Sequence, residues 1–288
     1  MAASECMAGN GLRLEPSFER LEQVMLRRGQ PDRVPLFELI LDEQRRVLRH
    51  LGLLRPRPSM GEADWDLHQH LDHQLALGYD YLLIDPANFY FPHVERPRAW
   101  TTDGWRQYQM AGLRTISCRA DLERYPWPDP AAADLARLDR AATVMPDGMK
   151  AISGLTGVFE TARNLLGFEA ICYLLHDEPD LVADTIDRIG ECVVGMVALL
   201  AAHPAVGAVY LADDLGWHAQ TLVAPEVLER LVFPWHERVV AAVHAAGKPA
   251  ILHTCGNVNS VLDRVVACGW DAKHSFEDAI GPVWEVKQ

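Results

Sequence analysis

A histidine and a cysteine two residues apart, His253 and Cys255, stand at the end of a short apolar run: Lys248-Pro-Ala-Ile-Leu-His-Thr-Cys-Gly-Asn257. Pro249 to Leu252 reads as a buried strand. Residues two apart on a strand point to the same face. An imidazole and a thiolate therefore converge at this strand end, which makes half of a zinc site. The same spacing also fits a His and a Cys packed together in a core, and spacing alone leaves both open.

Other polar residues gather where apolar runs end. Asp85 follows Tyr79 to Ile84, and Asp213-Asp214 follow Val206 to Leu211. His274 ends the run from Trp270, and Ser275-Phe-Glu-Asp278 brings Glu277 after it. Because Asp213 and Asp214 are adjacent, only one faces a pocket if the strand continues, and the other caps the loop. A carboxylate in that position can orient a substrate or a metal ligand. Asp85 precedes Pro86-Ala87 and suits a helix N-cap equally well. Cys268 closes a helix and reads as core. His68, His70 and His73 fall on one expected helix. Only His70 and His73 share a face there, which reads as a solvated surface rather than a metal site.

The elements that position these groups alternate. Strands are expected at Val34–Ile40, Tyr79–Ile84, Lys150–Leu155, Val206–Leu211, Pro249–Leu252 and Trp270–His274. Helices are expected at Pro16–Arg28, Asp42–Leu51, Asp64–Leu77, Asp134–Val144 and Phe159–Leu166. A long one starts at Glu178-Pro179 and runs to about Ala202. Further helices lie between Pro225 and Gly247, with a break near Pro234, and at Val258–Ala267. Thr102-Asp103-Gly104 carries a hairpin signal, and Tyr125-Pro-Trp-Pro-Asp-Pro130 a rigid connector. Residues 1–15 read as a disordered leader, and residues 16–288 as one domain. Strand-then-helix alternation with polar strand ends is the pattern of a (β/α)8 barrel of the TIM type. A doubly wound open sheet would bring a Gly-rich phosphate loop after its first strand, and the sequence has none.

Composition narrows the partners. The chain has 288 residues, 49% hydrophobic and 23% charged, with a net charge of −13. A field of that sign repels phosphate backbones and anionic lipid surfaces, so nucleic acid and membrane are poor partners. No run of about 18 apolar residues occurs, as a spanning helix would need. The six cysteines are scattered without a CxxC pair, which suits a reducing, cytoplasmic setting.

Several segments together resemble the uroporphyrinogen decarboxylase superfamily. They are Pro31-Asp-Arg-Val-Pro35, Gly78-Tyr-Asp80, Ala212-Asp-Asp-Leu-Gly216 followed by Pro225-Glu226, His244-Ala-Ala-Gly-Lys248, and His253-Thr-Cys-Gly-Asn257 with Gly269-Trp-Asp271. The resemblance spans about residues 16–288 and implies a (β/α)8 barrel. Its decarboxylase branch carries an Arg-rich segment of the type RQAGRYLP after the first strand. This chain reads Glu38-Leu-Ile-Leu-Asp-Glu-Gln-Arg-Arg46 there, so an octacarboxylate porphyrinogen is a poor ligand. The other branch comprises cobalamin-dependent methyltransferases. Its thiol-methylating members use a His-x-Cys pair as zinc ligands, with a further Cys late in the barrel.

The resemblance thus implies zinc on His253 and Cys255 and methylcobalamin carried by a partner corrinoid protein. The methyl acceptor is a small thiol, with tetrahydrofolate as the alternative acceptor. Asp85, Asp213 and Asp214 are implied as catalytic carboxylates. The late Cys has no counterpart. Glu277 and His274 are the expected substitutes, or else groups lining the cofactor pocket. About six of eight βα units are expected in a chain truncated at its C-terminus.

Overall fold

The computed structural model describes residues 15–39, 50, 62–86, 89–93, 98–101, 104–107 and 114–286. The expected leader up to Leu14 lies outside the described residues. So do nearly all of the Asp42–Leu51 helix and the turn residues Thr102 and Asp103. The chain divides into a unit of residues 1–82 and 144–150, and a larger unit of residues 83–143 and 151–288.

In the first unit, α1 (Glu19–Met25) buries Leu21 and Met25, four apart on one helical face. The helix α2 (Glu62–Leu77) ends at Gly78, whose φ of 83° favours glycine. Asp80, wholly buried, accepts hydrogen bonds from the Ser17 N–H (2.8 Å), Arg20 (2.8 Å) and Arg33 (2.6 Å). Arg20 also pairs with Asp32 at 2.5 Å. One carboxylate thereby ties three separated stretches together.

Two expectations for this unit are corrected. The strand at Val34–Ile40 does not form among the described residues. Pro35 has no N–H for a ladder, and Val34 and Leu36 are 83% and 46% exposed. Glu38 instead bonds a side chain: its N–H donates to the Tyr81 hydroxyl oxygen (2.8 Å), and that hydroxyl donates to the Glu38 carbonyl (2.6 Å). The histidines of α2 do not form a solvated face either. Leu67, Leu71 and Gln74 follow helical spacing, and the buried stripe takes in His73 and Gln74, both without exposed surface.

A five-stranded sheet runs in the order β1-β4-β5-β6-β7, and separately β2 (Arg98–Thr101) pairs antiparallel with β3 (Gly104–Gln107). The sheet strands are β1 (Tyr81–Leu83), β4 (Lys150–Thr156), β5 (Val206–Ala212), β6 (Ala250–His253) and β7 (Ala272–His274). The pairs β4–β5, β5–β6 and β6–β7 are all parallel. At the exit of β1 the Ile84 N–H bonds the Ile152 carbonyl at 3.0 Å. Among the described residues β7 is an edge strand. Five of the six expected strands thus form, four of them in parallel sequence.

Parallel strands need crossovers, and helices supply them. After β4 come α3 (Val158–Leu166), α4 (Phe168–Asp177) and α5 (Pro179–Ala202), the last with Pro at its first turn. After β5 come α6 (Pro225–Leu231) and α7 (Phe233–Ala245), and after β6 a short α8 (Leu262–Ala267). The 24-residue α5 buries Leu181, Ile186, Ile189, Val193, Val197 and Leu200. A Cβ on its Gly190 would lie 2.0 Å from the Trp235 ring, so glycine lets α7 pack closely there. Each such fully buried aliphatic side chain contributes about 1.5–3 kcal/mol over an exposed one. No helix among the described residues is long and apolar enough to cross a membrane.

Candidate functional site

Register decides which side chains meet. Across the sheet Ala212 pairs with His253, and His253 with His274. Two steps earlier along the strands Gly154 pairs with Tyr210 and Tyr210 with Ile251. Paired residues, and residues two apart on one strand, share a face. Tyr210, His253 and His274 therefore project from the same face, at the carboxyl ends of their strands.

Beyond β6 the chain turns sharply at Thr254-Cys255-Gly256. Thr254 is buried. Its N–H donates to the His274 carbonyl (2.8 Å) and its Oγ1 accepts the Leu215 N–H (3.0 Å). Gly256 has φ of 77°, and a Cβ there would fall 2.2 Å from the Gly216 carbonyl carbon. The loops after β5 and β6 are thus locked together. The Gly216 N–H donates to the Cys255 carbonyl (3.2 Å), and the Asn257 N–H to the Trp217 carbonyl (2.7 Å).

On this base stands a compact donor set. His253 Nε2 is 3.4 Å from Cys255 Sγ and 3.7 Å from Asp214 Oδ1. Asp214, His253 and Cys255 each offer a ligand atom, all within 4.8 Å of one another. Tetrahedral zinc with Zn–N of about 2.0–2.1 Å and Zn–S of about 2.3 Å puts N and S roughly 3.6 Å apart. The residues fit the ion in both chemistry and span. His253 Nδ1 lies 2.7 Å from His274 Nδ1, and Ser275 Oγ is 3.8 Å from the Cys255 sulfur. Burial pushes the Cys255 thiol up to about 11, with the charges of Asp214 and Glu277 adding to the effect. Without a cation it is a neutral thiol at pH 7 and a poor nucleophile.

Glu277 Oε1 accepts the Gly256 N–H at 2.6 Å. It lines, with Gly256, Lys273 and Ser275, a cavity of about 330 Å³. Lys273 donates to the Ser275 carbonyl at 2.5 Å, and burial lowers its ammonium pKa. Asp213 is wholly buried and turned to structure. It accepts the Phe159 N–H (3.1 Å) and Glu160 N–H (2.7 Å), capping the N-terminus of α3, and pairs with buried His236 (2.9 Å). Gly157 leaves room for it, since a Cβ there would lie 2.2 Å from Asp213. Asp85 belongs to a second polar group: its Oδ1 accepts the Tyr210 hydroxyl (2.9 Å) and the Gly154 N–H (3.3 Å). Burial raises the Asp85 pKa, against both hydrogen bonds.

Sequence reasoning passed over Glu160, His236 and Tyr210. Burial pushes the Glu160 carboxyl up to about 7; Arg163 at 3.7 Å opposes this, and the charges of Asp214 and Asp213 reinforce it. The one sequence signal for Glu160 is its place just after the Thr156-Gly157 strand end.

A methyltransferase from Methanosarcina mazei is similar in structure, with a TM-score of 0.57 at 18% identity over 95% of this chain and 80% of that one. That likeness concerns the fold and fits an α/β barrel of the TIM type. RipC from Yersinia pestis matches 70% of this chain and 85% of its own at 14% identity, with a TM-score of only 0.23. No curated protein matches the chain significantly. The family model for uroporphyrinogen decarboxylase (URO-D) matches residues 114–283. Those residues are more than half of the chain and include the whole donor set, and the chain belongs to the uroporphyrinogen decarboxylase family.

Proposed function

We propose that the protein is a methyltransferase of the cobalamin-dependent branch of this family, acting on a thiol at a zinc site on His253 and Cys255. The observation that carries this is the 3.4 Å approach of His253 Nε2 to Cys255 Sγ, with Asp214 beside them. Zinc held by His253 and Cys255 would supply the Lewis acidity that makes a bound thiol a thiolate, its proton going to solvent; the methyl group would then pass to that sulfur, with the electron pair of the broken cobalt–carbon bond left on the corrinoid. The protein's own residues do the rest. His253 and Cys255 fix the cation at the strand ends. Asp213 holds the β5 loop against α3. The half-buried Asp85–Tyr210 pair presents a carboxyl and a phenol for orienting a substrate. A corrinoid protein is the partner that would present the methyl donor, in the cytoplasm.

The test is methyl transfer itself. Full-length protein is mixed with methylcobalamin and a small thiol, and demethylation is followed by visible absorbance. The expected result is zinc-dependent loss of methylcobalamin, abolished by Cys255→Ser. Turnover with tetrahydrofolate and not with thiols, indifferent to zinc, would replace the acceptor. Turnover of a porphyrinogen alone would return the chain to decarboxylation.

A further inference from the structure

We propose that Asp214 is the third protein ligand of the zinc site. This deepens the functional proposal above and rests on zinc binding at His253 and Cys255. The resemblance implies a second, late cysteine as ligand, and Glu277 and His274 are the substitutes the sequence suggests. The geometry points elsewhere. Among the described residues, Asp214, His253 and Cys255 are the group whose ligand atoms converge within 4.8 Å. Asp214 Oδ1 faces the same imidazole nitrogen, Nε2, that faces the sulfur.

The alternatives lie elsewhere. His274 meets His253 at Nδ1, the ring nitrogen on the other side from the donor set. Glu277, whose Oε1 accepts the Gly256 N–H, is not in the group whose ligand atoms converge within 4.8 Å. Asp213 accepts three hydrogen bonds deep in the core.

Asp214 is also aimed. Its Oδ1 accepts the Cys255 N–H at 2.8 Å, so the loop that carries the thiol orients the carboxylate. A carboxylate has about four lone-pair sites, and one N–H leaves ample capacity for a cation. Two observations are thus independent: the convergence of three donor atoms, and the Cys255 N–H bond that aims the Asp214 carboxylate. One thiolate and one carboxylate balance the dication. The carboxylate is the harder donor and gives up less electron density than a second thiolate. The cation therefore keeps more of its field for the thiol entering the fourth position.

The test uses the full chain stripped of metal and titrated with Co2+, then with Zn2+ against a chromogenic chelator. Wild type should bind one Co2+ with a thiolate-to-cobalt band of one-sulfur intensity. Asp214→Asn keeps the shape and the acceptor for the Cys255 N–H, so the turn survives, as near-ultraviolet dichroism checks. Its zinc affinity should fall at least about 100-fold, beyond the 10–100-fold range of groups that merely support a ligand. Asp214→Cys should restore binding and roughly double the charge-transfer band, because two thiolates now bind. An Asp214→Asn protein with the affinity and spectrum of wild type, or metal lost from Glu277→Gln but kept by Asp214→Asn, would overturn the assignment while leaving the functional proposal in place. Wild type that takes up no metal would remove both.

Discussion

The Nδ1 atoms of His253 and His274 lie 2.7 Å apart, their rings tilted 33° with centroids 5.0 Å apart. One nitrogen must donate and the other accept. With His253 donating from Nδ1, its Nε2 carries the lone pair that faces Cys255 and Asp214. In that arrangement His274, paired with it on the neighbouring strand, would hold the tautomer that can bind a cation.

That relationship can be tested without touching a ligand. His274→Ala should lower zinc affinity by about 10–100-fold while the chain stays folded. Chelator competition measures it. Unchanged affinity would mean that the His253 tautomer is set by something else.

Glu160 gives a pH prediction. Its carboxyl moves from 4.5 up to about 7 on folding, so the fold favours the protonated form. That contribution is complete below the unfolded value and is lost as pH rises through about 7. Glu160→Gln stays neutral. It should match wild type near pH 4.5 and be more stable than wild type at pH 8, by up to about 3 kcal/mol. Urea midpoints at the two pH values decide it, and parallel pH profiles for the two proteins would contradict it.

Asp80 should matter for stability rather than chemistry. Asp80→Asn leaves Arg20 and Arg33, only 16% and 19% exposed, without their shared charge. The loss should be about 3 kcal/mol or more, the usual effect of removing one partner of a buried pair. A shift below about 1 kcal/mol, the range of surface pairs, would show the network to be solvated.

The strands that carry the site were legible from sequence because their signal is local. The runs ending at Leu155, Leu211 and Leu252 lie within a residue or two of the observed β4, β5 and β6. His253 and Cys255 do approach, but through the turn after β6, which ends at His253, rather than as alternate residues of one strand. Val34–Ile40 misled because an apolar run looks alike whether or not a partner strand exists, and Pro35 weakens the ladder. His73 hid because a polar ring carries no apolar signal of the face it sits on. Glu160, His236 and Tyr210 were illegible for a different reason. Each meets its partner across more than 20 positions of sequence, Glu160 with Asp213, His236 with Asp213 and Tyr210 with Asp85. Only the folded chain brings those pairs together.

The glycine contact beneath the site makes a further prediction. Gly256→Ala would place a methyl 2.2 Å from the Gly216 backbone and strain a φ of 77°. A left-handed alanine alone costs about 1–2 kcal/mol. The loops should separate, and zinc affinity should fall although every ligand remains. Wild-type affinity in this variant would show that the loop junction is not what positions Cys255.

The central claim is that His253 and Cys255 hold zinc. It is tested most directly by elemental analysis of full-length protein purified under metal-replete conditions, as wild type, His253→Ala and Cys255→Ser. One zinc per chain in wild type, falling to about a tenth or less in both variants, is the predicted result, given that each ligand supplies a large share of a three-ligand site. Equal zinc in all three proteins, or none in any of them, would contradict it.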